Sequence, residues 1–337
     1  MKLHNVQLKK LIDEMHSLSQ ECKSREDVLD VARLAEGFSG PFKFDNSENW
    51  KLSGVFLLVL GILFLLTNYV VIELDWLAKI ILLAKFACGM MIGYNIYLIY
   101  QRSKTIDIIS DTLFQLNLFF ANHINPWTDR ERFVSQRLSS FAEFDRGNHS
   151  REITIEHAST ETAKVPFNVY EFKYVDKEKV TKRVSDGKGG YKTVEEYVYH
   201  SYFRYGIIFK LDNFDCLHLK FNGKLAYPKI NYKPASIEFN NMYELGANEE
   251  FKMSKFLKPA LVEKIVNMAK DFGVFNIEIN SESEVCFGFL NNIVFGKKNT
   301  ESLENPRLFI ESLENCGSFT RLNEFIELFE NIQRYSD

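Results

Sequence analysis

LSGVFLLVLGILFLLTNYVVIELDWLAKIILLAKFACGMMIGYNIYLIY, Leu52–Tyr100, is the stretch on which the architecture turns. A bilayer core about 30 Å thick is crossed by roughly 20 apolar helical residues, and this run is more than twice that long. Two spans fit it, at about 52–71 and 80–100, with VVIELDWLAK (Val70–Lys79) as the tip of the hairpin between them. Glu73 and Asp75 then lie in water, Trp76 sits at headgroup level, and Lys79 can return its ammonium to the same interface. The bland alternative is a buried hairpin in a soluble protein, but an ordinary core seldom needs two adjacent apolar runs of this length.

Two spans put both ends of the chain on one side of the membrane, and lysine and arginine decide which. Arg33, Lys43 and Lys51 precede the first span, Arg102 and Lys104 follow the second, and the tip offers Lys79 alone. That bias directs both termini into the cytoplasm. The polar first 50 residues contain no early apolar stretch with a small-residue cleavage site, so no removable signal peptide is expected. Five cysteines, scattered without pairing or metal-ligand spacing, suit a reducing compartment.

Within the spans, Lys85 is expected to snorkel to the near interface, and Asn68 and Asn95 are candidates for hydrogen bonds between helices. Gly89 and Gly93 form a GxxxG, and Gly54 and Gly61 share one side of the first span. Small residues of this kind let helix backbones approach closely, either within the hairpin or between copies in a homo-oligomer.

The chain therefore divides into an N-terminal helical segment (1–50), the hairpin (51–100), an emerging amphipathic helix (101–126) and an α+β domain (127–337). Two short helices fill residues 3–36, the second opened by Ser24 and Asp27 as a capping-box variant. The emerging helix places Ile106, Ile109, Leu113, Leu116 and Phe120 at helical spacing until Pro126, apolar enough to lie near lipid or to dock on the domain beyond. Beyond Trp127 the pattern becomes strand-like. FNVYEFKYV and VEEYVYHSYFRYGIIFKL flank the turn SDGKGG as a hairpin, CLHLKFN follows, and SIEF and NMYEL read as further strands. A helix with Pro259 in its first turn and Gly273 as its stop comes next, then strands at VFNIEI, EVCFGFL and IVFGK. A last amphipathic helix begins near Ser318. Strands and helices without regular βαβ alternation indicate a mixed or antiparallel sheet with two amphipathic helices, the α+β class.

This layout resembles the bacterial domain-of-unknown-function family 3137. FRYGIIFKLDN is similar to that family's aromatic-glycine-apolar strand, SIEFNNMYELGANEEFKMSKFLKPALVEKIVNMAKDF to its strand, acidic turn and helix start, and VCFGFLNNIVFG to its closing strands. The resemblance runs from about residue 50 to 335. It departs at the turn before the helix, where Asn248, Glu249 and Glu250 replace the aspartate usual in the family. It implies a bacterial inner-membrane protein and lends no catalytic residues.

The residues themselves point to no reaction. His123, His149, His157, His200 and His218 stand apart, with no HExxH and no carboxylate or cysteine at ligand spacing, so structural or surface roles are expected. SDGKGGYKT fails as a phosphate loop because Tyr191 stands where a glycine must precede the lysine. Asp212 with Asp215, and Glu282 with Glu284, read as solvated turn carboxylates. FRYGIIFK lacks the glycine of an RNA-binding strand after Arg204, and a net charge of −4 without a basic stripe argues further against nucleic acid. The 167–211 hairpin is locally basic, and Lys179, Lys182, Arg183 and Lys188 are its candidate contacts to a partner protein or to anionic headgroups. The expectation is a membrane-anchored binding, sensing or scaffolding protein with no cofactor and no catalysis of its own. Its partners would be the bilayer and another protein; a tethered enzyme with a site assembled from distant residues is the rival.

Overall fold

The computed structural model describes residues 2–69, 75–127, 137–185, 187, 190–211, 214–292 and 299–336. In chain order the helices are α1 (Leu3–Ser19), α2 (Arg25–Arg33), α3 (Ser47–Tyr69), α4 (Asp75–Ala121), α5 (Ile237–Met242), α6 (Glu250–Phe256), α7 (Pro259–Phe272), α8 (Pro306–Glu314) and α9 (Thr320–Ser336). The strands are β1 (Ser150–Ala158), β2 (Phe167–Ser185), β3 (Tyr191–Lys210), β4 (Leu217–Lys220), β5 (Glu244–Ala247), β6 (Asn276–Ile279) and β7 (Glu284–Phe289). The protein is α+β. It separates into two compact units, Met1–Leu118 with Lys298–Cys316, and Phe119–Lys297 with Gly317–Asp337.

In the first unit, α3 and α4 are both long and apolar enough to cross a membrane. Only 6% of the apolar window of each is buried, whereas the core helix of a soluble protein is mostly covered. On these otherwise exposed helices Ser53, Cys88 and Asn95 are buried. Asn49 Nδ2 donates to Asn95 Oδ1 at 3.0 Å, as expected for Asn95, while the side chain of Asn68 lies outside the described residues. Lys85 Nζ donates to Thr67 Oγ1 at 2.7 Å and stands 4.1 Å from the Phe64 ring centroid. At the opposite end Arg102 Nη1 donates to Asn46 Oδ1 and Asn49 Oδ1 at 2.9 and 2.8 Å.

Further along α4 the environment changes. Ile106, Ile109, Leu113 and Leu116 are buried and Phe120 is half-buried, as their spacing anticipates. Ser110 Oγ accepts the Leu303 N–H, and Asn117 Nδ2 donates to Leu313 O at 2.9 Å, so this part of α4 is held by the 303–313 segment. α2 opens with a complete capping box: Ser24 Oγ accepts the Asp27 N–H, and the Asp27 carboxylate accepts the N–H groups of Lys23 and Ser24 at 2.8 and 2.9 Å. Two donors that the helix cannot satisfy internally are thereby paired.

The second unit is built on a seven-stranded sheet in the order β1-β2-β3-β7-β6-β4-β5, every pair antiparallel. Alternation gives it two faces. On one, Phe209 stacks on Phe329 of α9 at 4.4 Å, and Phe325 of α9 packs against Phe275, Phe287 and Phe289. α7 begins with Pro259, buries Leu261, Val262, Ile265, Val266 and Ala269, and stops at Gly273, whose φ of 87° suits glycine. On the other face Phe141, just before a short 3-10 turn (Ala142–Phe144), and Phe144, its last residue, pack with Ile153, Tyr170, Phe172, Ile208 and Cys286.

Three expectations change. SIEF is not a strand: Ser236 Oγ accepts the Phe239 N–H and caps α5, a local bond that outweighs the strand preference of the isoleucine and phenylalanine. NMYEL enters the sheet only from Glu244. β1, α6 and α8 were not anticipated, and IVFGK lies outside the described residues.

Candidate functional site

β2 and β3 are far longer than their neighbours. They pair without a break from Phe167↔Phe209 to Ser185↔Tyr191, yet β1 accompanies β2 only to Val175 and β7 accompanies β3 only from Tyr205. About ten residues of each strand, a span of roughly 33 Å, therefore leave the sheet as a two-stranded ribbon. A ribbon of this kind buries little of itself, and Tyr191, Tyr197 and Tyr199 are 78%, 52% and 52% exposed.

The two faces of the ribbon differ. On the odd-numbered face lie the three tyrosines with Lys177, Lys179 and Arg183. Lys177 Nζ stands 4.0 Å from the Tyr197 ring centroid, and His149 packs on Tyr199 at 4.9 Å, so these two rings already have ring-face or edge partners. The even-numbered face carries charges interleaved with valines. The candidate contacts are distributed accordingly: Lys179 and Arg183 on one face, Lys182 on the other, and Lys188 outside the described residues. Pairing brings acids opposite the bases. Lys179 meets Glu195 at 2.8 Å and Lys182 meets Glu196 at 2.5 Å, which tempers the basic character read from the β2 side of the hairpin.

The membrane candidates are also located. Trp76 is 59% exposed and Lys79 is exposed, while Glu73 lies outside the described residues. At Gly54, Gly61, Gly89 and Gly93 an added Cβ would meet nothing within 4 Å, so none of the four glycines lies at a close helix contact within the chain, while their neighbours Ser53 and Cys88 are buried.

A second feature was hidden in the sequence. Glu143, in the 3-10 turn, receives Arg204 Nε at 2.5 Å, Arg146 Nη2 at 2.8 Å and Asn276 Nδ2 at 2.8 Å. Room for its carboxyl is made by Gly288, where a Cβ would stand 2.7 Å from Glu143 Cδ; Gly206, paired with Gly288 across the strands, likewise admits the Tyr170 hydroxyl. Burial raises the Glu143 pKa, but the guanidiniums of Arg204 and Arg146 outweigh it and hold the carboxyl below its usual range. Beside it, Glu278 accepts the N–H groups of Ala142 and Glu143 at 2.9 and 3.3 Å, and burial pushes it up to about 7. His218 pairs with Glu278 in the β4–β6 register. Its Nδ1 accepts the Ala226 N–H, and burial pushes it down to about 4.

These groups are sealed. Glu143, Glu278, Arg204 and His218 are 2%, 3%, 1% and 1% exposed. The carboxylates are engaged by guanidiniums and backbone, so the cluster acts as a staple between the sheet and the 3-10 turn. The residues come from positions 143, 146, 204, 218, 276 and 278, which no local motif unites; the available signal was glycine inside two strands, a mark of close approach. Glu284, read as a turn carboxylate, begins β7 and is paired with Arg137 at 2.9 Å. Among the described residues no group of three or more histidine, cysteine, aspartate or glutamate side chains is placed to hold a metal ion.

The class this defines is an α+β protein with two membrane-length apolar helices and a seven-stranded antiparallel sheet. Compared with protein-family models, with curated proteins and with solved structures, the chain matches none.

Proposed function

We propose that the chain is a membrane-anchored interaction module of the bacterial inner membrane, with both termini cytoplasmic and the β2–β3 ribbon as its binding arm. The bacterial setting rests on the three stretches that resemble family 3137. The ribbon is the observation that carries the binding role: about ten residues per strand project beyond the sheet, with exposed tyrosines on one face and exposed valines on the other. Tyrosine and arginine at an exposed site are the residues that most often anchor a protein interface. Anionic headgroups are the weaker partner, because Lys179 and Lys182 already have carboxylates beside them. Phe114 and Leu118 of the emerging helix are 4% and 0% exposed and so offer lipid no apolar contact. Catalysis by the Glu143 cluster would require a substrate to reach carboxylates that are sealed and fully engaged.

The test is excision of the arm. Replacing residues 177–199 by an Asn-Gly turn keeps every strand pair of the sheet proper and removes only the projecting part. The shortened chain should stay in the membrane fraction after alkaline extraction but lose the higher-mass species that amine cross-linking yields in native membranes. A full-length chain recovered in the soluble fraction would refute the anchoring, and an unchanged cross-linking pattern would refute the arm.

A further inference from the structure

The even-numbered face of the ribbon has a charge order that the odd-numbered face lacks. Reading from the sheet outward, the cross-strand rows are Asp176 with His200, Glu178 with Val198, Val180 with Glu196, Lys182 with Val194, and Val184 with Lys192. Acids occupy the rows near the sheet and lysines the rows near the tip. Valine alternates from strand to strand, so each row beyond the first sets one valine beside one charge. Val184 and Val194 are 44% and 38% exposed, Val180 and Val198 half-buried.

A surface that is acidic at one end, basic at the other and apolar between is complementary to itself turned end for end. A two-fold axis lying between two such faces and across the ribbons places row three of one copy against row four of the other, and row two against row five. Glu196 and Val180 then lie over Val194 and Lys182 of the second copy, and Glu178 and Val198 over Val184 and Lys192. Glu178 gains Lys192 diagonally, the Lys182–Glu196 pair of each copy, closed at 2.5 Å within its own chain, meets that of the other with opposite charges on the diagonal, and each valine lies over the aliphatic stem of a lysine or glutamate. Parallel packing would set acid against acid and lysine against lysine, at a cost of several kcal/mol for like charges brought together.

We infer that the partner of this face is a second copy of the same chain, docked ribbon on ribbon in antiparallel fashion. This rests on the interaction-module reading and names its partner. The contact is small. A face roughly 33 Å long and about 10 Å wide buries far less than the 1,200 Å² or so at the lower bound of standard stable complexes. The hairpin compensates, because confinement of both copies to one membrane raises their effective concentration and allows a weak face to associate. The lysine and glutamate side chains also discourage open-ended pairing along the ribbon's free strand edges.

The experiment uses full-length chains, labelled separately with donor and acceptor fluorophores and reconstituted in neutral vesicles at low chain density. Two variants are compared with the wild type: Lys182→Glu with Lys192→Glu, and Glu178→Lys with Glu196→Lys. Each alone should lower the associated fraction on the order of tenfold or more, because like charges then meet across the axis. An equimolar mixture of the two should recover association, since an acidic ribbon then faces a basic one. Fraying of the altered ribbons cannot produce that recovery. Energy transfer in all samples no greater than random proximity overturns the inference. Association that survives both variants, or is not regained in the mixture, overturns it equally. Chains that fail to float with the vesicles would instead refute the membrane-anchored reading, and the inference falls with it.

Discussion

Glu278 and His218 are neighbours across β4 and β6, and burial shifts them in opposite directions. Glu278 rises to about 7 and His218 falls to about 4, with Glu143, Arg146 and Lys220 as the charges around the imidazole and Glu143 and Arg146 around the carboxyl. Each shift corresponds to about 3 kcal/mol against the charged form. For Glu278, whose folded pKa is raised, the contribution is full below about pH 4.5 and lost as pH climbs to about 7. For His218, whose folded pKa is depressed, it is full above about pH 6.5 and lost as pH falls to about 4. Between those limits the unfolded chain carries one proton on the imidazole and the folded chain carries one on the carboxyl, so the two dependences cancel. Glu278→Gln should expose the histidine term, with stability falling by roughly 1.4 kcal/mol per unit as pH drops from 6.5 toward 4. His218→Asn, which keeps an acceptor for the Ala226 N–H, should expose the opposite slope. Denaturant midpoints of the detergent-solubilised chain at several pH values decide it, and two single variants with the wild-type profile would show that neither group is shifted.

Among the elements, α8 depends on a residue far from it in sequence. Arg25, at the start of α2, donates through Nη2 to Leu313 O and Glu314 O at 2.7 Å each and through Nε to Asn117 Oδ1 at 3.2 Å. The last carbonyls of a helix lack internal partners, and the guanidinium fork supplies two of them. Arg25→Ala should cost roughly 1–3 kcal/mol, and Arg25→Lys most of that, because an ammonium cannot reproduce the planar fork. Faster proteolytic cleavage near residues 314–319 would report the loss, and cleavage at the wild-type rate in both variants would contradict it. This contact also shows what a sequence hides. The capping box of α2, the Pro259 start and Gly273 stop of α7, and the β2–β3 hairpin were legible because each is written in neighbouring residues. α8 is not legible in this way: its buried apolar residues, Phe309, Ile310 and Leu313, span little more than a turn, and part of its closure comes from Arg25 and Asn117. The Glu143 cluster was illegible for the same reason, since its charges meet only after β3, β7, β6 and β4 are laid side by side.

For the whole molecule, the polar contacts of the hairpin supply a ruler. Arg102 with Asn46 and Asn49 forms one polar rung between α3 and α4, and Lys85 with Thr67 forms another. Seventeen residues of helix separate Arg102 from Lys85, a rise of about 26 Å, close to the hydrocarbon thickness of about 30 Å. In a bilayer crossed by both helices, rungs at this spacing would lie toward the two interfaces; Trp50, 59% exposed, adjoins Asn49 of one rung, and Trp76, also 59% exposed, lies about 14 Å along α4 beyond Lys85 of the other. In the topology proposed above, the Arg102 rung belongs to the cytoplasmic end of the two helices, in keeping with the lysine and arginine bias. A reporter active only in the cytoplasm should work when fused after Asp337 and fail when inserted between Glu73 and Asp75. Charge reversal sharpens the test. Exchanging Lys43, Lys51, Arg102 and Lys104 for glutamine while adding three lysines at the tip should reduce the C-terminal signal and raise that of the tip, since the bias is then inverted. Activity at the tip of the unaltered protein would place the α+β unit outside the cytoplasm, and activity at both sites would mean that the two apolar helices do not cross the membrane.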